Sequence, residues 1–321
     1  MIYLPRIVVL SLLALVLACT ADEESLVPAH NNPVQFEEIS VLPLGPDGAT
    51  EPKVFNFRSD ATGLVLRARP SSGTLSLDLC VVIDSVSTVE GQAWIGQLEA
   101  DGNAKATGMQ NSALLPGEAV LILPNHGLDL LATTALTARI LIRECGDASV
   151  PSVTLPEAMV LEVGWLERPT SVTPLTVSVD FAYEQAAPDE LLAAVNAIFS
   201  SAKITFKQAV TGVADLTIES GNCPAQHSQA RIPGGLTHSV ASNVVTLAVC
   251  GENSDTASAA REAAHQFAHF LGLYSVTDDT LDDTVVSVPN LMTEMSSDTQ
   301  LTLSQIHVLR THPLARAVIA D

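Results

Sequence analysis

Residues 265–275 read His-Gln-Phe-Ala-His-Phe-Leu-Gly-Leu-Tyr-Ser and constrain the fold more than any other stretch of this 321-residue chain. His265 and His269 stand four apart, so a helix projects both imidazoles from one face, where they can share one metal ion. Gly272 follows where a helix would end, and a glycine there permits a left-handed exit that turns the chain sharply. A pair of histidines on a helix is, by itself, more often a surface or core feature than a ligand pair. The glycine and the downstream segments give this pair its meaning.

Downstream stand the acidic run Asp282-Asp283-Thr284 and then Asn290-Leu291-Met292. Thr302 and Gln305 have the spacing of a helix capping box. The helix they open carries Ile306, Val308 and Leu309 and stops before Pro313. Upstream, residues 175–183 alternate as a strand, and Pro188 and Asp189 start a helix through Leu191, Leu192, Val195 and Ile198. Residues 204–206, 216–218 and 244–249 read as three further strands.

In order and spacing, residues from about 175 to 314 resemble the metzincin family of zinc peptidases, whose signature is H-E-x-x-H-x-x-G-x-x-H followed by a Met-turn. The resemblance implies an α/β domain with a twisted sheet, two long helices and a C-terminal helix. It also implies His265 and His269 as metal ligands and Met292 as the Met-turn residue. Two positions depart from the signature: Gln266 replaces the general-base Glu, and Ser275 replaces the third His. A carboxamide has no useful basicity, and losing a general base costs roughly 100- to 10,000-fold in rate. Catalytic zinc has three protein ligands plus water, and a Ser hydroxyl is a poor one. Asp278, Asp279 or Glu262 could supply a carboxylate in its place. No firmly held cofactor is expected; zinc binds weakly or not at all. Calcium at Asp278, Asp279, Asp282 and Asp283 lacks EF-hand spacing, so a solvated acidic loop is the better reading.

The N-terminus points out of the cytoplasm. Arg6 precedes an apolar run from Ile7 to Leu17, too short to span a bilayer that needs about 20 residues. Val16-Leu17-Ala18-Cys19 resembles a bacterial lipobox. This implies a signal peptide over 1–18, a lipid anchor on Cys19, and an outer-membrane address in the cell envelope. An ordinary secretory cleavage, for instance after Ala21, is the alternative. Residues 19–34 read as a flexible tether.

Four cysteines remain: Cys80, Cys145, Cys223 and Cys250. An even count in an oxidising compartment reads as disulfides. Three pairings are possible, and the simplest is Cys80–Cys145 with Cys223–Cys250. Residues 35–165 carry short strands, among them 63–69, 75–82 and 135–143, separated by Gly, Pro, Ser and Asn turns. This predicts a β-sandwich, with His126 in a loop. Residues 166–174 form a linker to the domain over 175–321. The fold class is therefore multidomain α+β: a β-sandwich followed by the metzincin-like domain.

A formal net charge of −21 argues against nucleic acid or anionic lipid as a binding partner. Three functions of different class follow. The first is a surface-tethered pseudopeptidase kept as a binding or structural module for a protein or peptide ligand. The second is a working zinc hydrolase with an unusual carboxylate ligand. The third is a binding protein acting through the β-sandwich.

Overall fold

The computed structural model describes residues 34–72, 75, 79–91, 93–95, 117–123, 133–144, 154–167, 171–183, 188–210, 214–221, 228–237, 243–248, 255–273, 290–293 and 297–317. The chain is mixed α and β, with most of its strands in the first half. The signal peptide, Cys19, His126, Cys145, Cys223, Cys250, Ser275, Asp278, Asp279, Asp282 and Asp283 lie outside the described residues.

Alternating apolar residues build two antiparallel four-stranded sheets in the N-terminal half. One contains β1 (Glu37–Pro43), β3 (Gly63–Pro70), β6 (Ala119–Leu123) and β8 (Ala158–Leu166), in the order β1-β8-β3-β6. The other contains β2 (Lys53–Asn56), β4 (Leu79–Thr88), β5 (Ala93–Ile95) and β7 (Ala135–Glu144), in the order β2-β7-β4-β5. Leu64, Leu66, Leu121 and Leu161 of the first meet Val81, Ile83, Leu136 and Ile140 of the second in one buried cluster. Every second residue thus points between the sheets, as strand periodicity demands.

The other face of the first sheet is also buried. Val65, Val120, Ile122 and Leu166 pack with Val34, with Phe36 at the margin, and with Leu236 from the second half of the chain. Arg67 also lies on this face, its guanidinium 3.7 Å from the Phe36 ring centroid. It bonds Glu162 at 2.7 Å, and Arg69 joins the same carboxylate at 2.9 Å. These contacts compensate for burying charge. β3 is consequently buried almost end to end, while the long alternation of β7 covers only one face.

The second half is built on β9 (Leu175–Phe181), β10 (Ile204–Gln208), β11 (Leu216–Ser220) and β12 (Val244–Leu247), paired in parallel in the order β10-β9-β11-β12. β13 (Arg316–Ala317) adds antiparallel to β9. Helix α1 (Pro188–Ile198) continues into a 3-10 turn over Phe199–Ala202. Helices α2 (Thr256–Phe270) and α3 (Leu303–Thr311) follow. Alternate strand residues, from Leu175, Val177 and Val179 to Val245 and Leu247, share one core with Val195, Phe267 and Leu309 of the helices.

Helix ends form where local chemistry supplies them. Asp255 caps α2, its carboxylate accepting from the Ser258 amide at 2.7 Å. Thr302 and Gln305 form the full capping box on α3, as their spacing predicts. The segment before β9 is not a loose connection at its far end: buried Arg310 of α3 donates to Thr173 O at 2.8 Å and to Ala202 O at 2.6 Å.

Candidate functional site

Helix α2 presents both histidines to the same side, and the turn at its end orients one of them. Gly272, at φ +98°, donates to His269 O, and Leu273 N donates to Ala268 O at 2.9 Å. This pair of bonds is a Schellman cap, which only a residue tolerant of the left-handed region closes without strain. The reversal brings Leu273 O back over the helix, 2.7 Å from His269 Nδ1. The second imidazole is oriented from elsewhere in the sequence. Leu291 O, in the 290–293 turn, lies 2.9 Å from His265 Nδ1.

That turn is itself held on several sides. Asn290 Oδ1 accepts from Met292 N at 2.9 Å and from Gln305 Nε2 of α3 at 2.8 Å. Leu291 N donates to Gln300 O, and Arg261 of α2 donates to Leu291 O and Thr293 O. Met292 is fully buried in the core beside α2 and α3. The Asn-Leu-Met segment is therefore a rigid support for the first histidine rather than a passing loop.

The imidazoles meet Nε2 to Nε2 at 3.0 Å, their rings nearly perpendicular. Two zinc–nitrogen bonds of about 2.0–2.1 Å at a tetrahedral angle place such nitrogens roughly 3.3 Å apart, so the pair has close to a metal's bite. Proton counting leads to the same place. Two neutral imidazoles have two N–H groups, whereas three contacts (Leu291 O, Leu273 O and the Nε2 pair) need three. With both Nδ1–H groups donating to carbonyls, the two Nε2 lone pairs face each other, and a cation between them satisfies both. Backbone carbonyls holding the distal nitrogens also fix the tautomer that a ligand histidine needs. Burial is the main reason His269 is pushed down to about 4, with the neighbouring His265 charge adding to it and Leu273 O opposing it. His269 is neutral, as a ligand must be, at physiological pH.

Among the described residues, the rest of a catalytic set does not gather here. Gln266 is buried, and its amide donates to Glu262 Oε1 at 3.3 Å. Glu262 is thus turned to Gln266, one helical turn away. Among the described residues, no group of three or more His, Cys, Asp or Glu side chains converges on a metal position. The described residues fit zinc as a pair of ligands and no further.

Reading the sequence alone missed Arg261 and the two carbonyls that orient the histidines. Arg261 was open to detection, since it precedes His265 by one helical turn. Leu291 O was not, because nothing local brings residue 291 to residue 265.

Cys80, buried in β4, is disulfide-bonded; its partner lies outside the described residues. No helix among the described residues is long and apolar enough to cross a membrane.

No protein-family model matches the chain, and no curated protein does. Two solved structures of myroilysin align with it, each with a TM-score of 0.26. One has 14% identity over 31% of this chain and 48% of the other; the second has 16% over 34% and 49%. The chain spans less than half of either, and an overlay at this score establishes no common fold.

Proposed function

We propose that the second half of this chain is a metzincin-like pseudopeptidase, retained as a binding or structural module on an exported, lipid-anchored protein. The observation that supports it most is the mismatch on one face of α2. Two imidazoles are oriented as ligands, yet an amide, Gln266, occupies the position where the base would stand. In this reading the two N-terminal sheets are a β-sandwich, and residues 35–165 and 175–321 are separate domains.

Purified mature protein should contain well under one zinc per chain by elemental analysis and should cleave no peptide, with or without added zinc. Gln266→Glu with Ser275→His should raise zinc affinity and be required for any cleavage. Stoichiometric zinc together with peptidase activity in the unmodified protein, both lost in His265→Ala, would refute the pseudopeptidase and favour the hydrolase with Asp278, Asp279 or Glu262 as third ligand. The third reading, binding through the β-sandwich, has a specific feature in its favour. A cleft of about 660 Å³ is lined by Pro43, Leu44, Pro46, Pro52 and Arg139, among others.

Export is proposed on the sequence at Cys19, and Cys19→Ala should release the protein from the membrane fraction. We further propose Cys145 as the partner of Cys80. The β4–β7 register sets Leu79 opposite Glu144, so the two cysteines are the immediate neighbours of paired residues. Non-reducing peptide mapping that links Cys80 to another cysteine would overturn that pairing.

A further inference from the structure

We propose that Arg261 acts as a built-in cation that weakens metal binding at the His265–His269 pair. The inference rests on reading that pair as a cation site. Arg261 Nη2 donates to Leu291 O at 3.3 Å and to Thr293 O at 3.1 Å. Leu291 O is the same atom that lies 2.9 Å from His265 Nδ1. The guanidinium and the ligand imidazole are therefore no more than two hydrogen-bond lengths apart, joined through one carbonyl oxygen.

Among the described residues, no carboxylate pairs with this guanidinium. Its Nε is buried without a hydrogen-bond partner. The adjacent carboxylate, Glu262, accepts from Gln266 instead. The described residues thus leave the charge to be felt at the site.

Two effects follow, and both oppose a bound cation. The first is Coulombic: a fixed positive charge within about 10 Å of a dication, in a partly buried setting, repels it. The second acts through the carbonyl. An imidazole gains basicity at Nε2 when its Nδ1–H donates to a good acceptor. Leu291 O already accepts from a guanidinium and is a poorer acceptor for it. Arg261 so holds the 290–293 turn in a ligand-like position while making the ligand a weaker one.

The test is zinc affinity of the full mature chain, measured with zinc alone against a competing chromophoric chelator. Arg261→Gln removes the charge and keeps a donor, and should bind zinc at least tenfold more tightly than wild type. Arg261→Lys keeps the charge and should stay within about threefold of wild type. The advantage of Arg261→Gln should shrink as salt rises from about 20 to 500 mM, because screening weakens charge repulsion. A purely structural role would not respond to salt in this way.

Unchanged or weaker binding in a folded Arg261→Gln, or an equal gain in Arg261→Lys, overturns the inference. If Gln does not fold, Arg261→Met replaces it. Failure of both to fold also overturns the inference, in favour of a structural residue. His265→Ala separates the two levels. Zinc that persists without His265 refutes the cation site itself, whereas zinc that depends on His265 but ignores Arg261 refutes only the inference.

Discussion

At the scale of single residues, His312 is a second buried histidine with a different task. It is fully enclosed against Phe270, with Nε2 donating to Gly234 O at 3.1 Å and Nδ1 accepting from Leu314 N at 3.2 Å. Desolvation is the main reason it is pushed down to about 3 from an ordinary 6.5, against the pull of Gly234 O. The folded protein therefore keeps it neutral, while the unfolded chain protonates it below about 6.5. Its contribution to stability is complete above that pH, falls as pH drops, and is lost by about pH 3. Urea unfolding of wild type and His312→Gln at pH 7.5 and 4.5 should show this. The variant is less stable at pH 7.5, and the gap should narrow by about 3 kcal/mol at pH 4.5. A gap independent of pH would show that His312 does not titrate in this range.

At the scale of elements, two helix ends place the site, and both were legible in the sequence. Thr302 and Gln305 announced their capping box because its residues are local and their spacing is set by helix geometry. Thr302→Ala should destabilise the protein by about 1 kcal/mol, read as a lower thermal midpoint. The effect should extend to the site, since Gln305 also holds Asn290. Gly272 likewise announced the exit of α2. A Cβ there would meet only ordinary contacts, Val308 Cγ1 at 3.7 Å and Ile122 Cδ1 at 3.8 Å, so the cost of Gly272→Ala is set by its φ of +98°. That substitution should cost about 1 kcal/mol or more and disturb Leu273 O before it disturbs the core. A variant as stable as wild type would mean the left-handed exit is not required.

At the scale of the whole molecule, the two halves meet through well-buried side chains. Leu236 is completely enclosed against Val65, Val120 and Ile122 of the first sheet. It extends from a loop whose Gly234 bonds both Phe270 O and His312. Leu236→Ala should cost about 2–5 kcal/mol, by lost transfer energy and the cavity it leaves. Calorimetry should then resolve two transitions where wild type has one, because the variant loosens the contact that couples the halves. A single transition in the variant would show that other contacts carry the coupling.

What the sequence determined by itself was whatever depends on near neighbours: strand alternation, the helical phase of His265 and His269, the Thr302–Gln305 capping box, and the glycine exit. These follow from backbone geometry with periods of two and 3.6 residues, so spacing alone reveals them. The tertiary structure alone decided what acts across long separations. It set Leu291 O against His265, placed Arg261 on that same oxygen, and sealed the first sheet with Leu236. Such contacts leave no periodic trace, because burial of apolar surface is non-directional and selects partners by shape and proximity after the chain has folded.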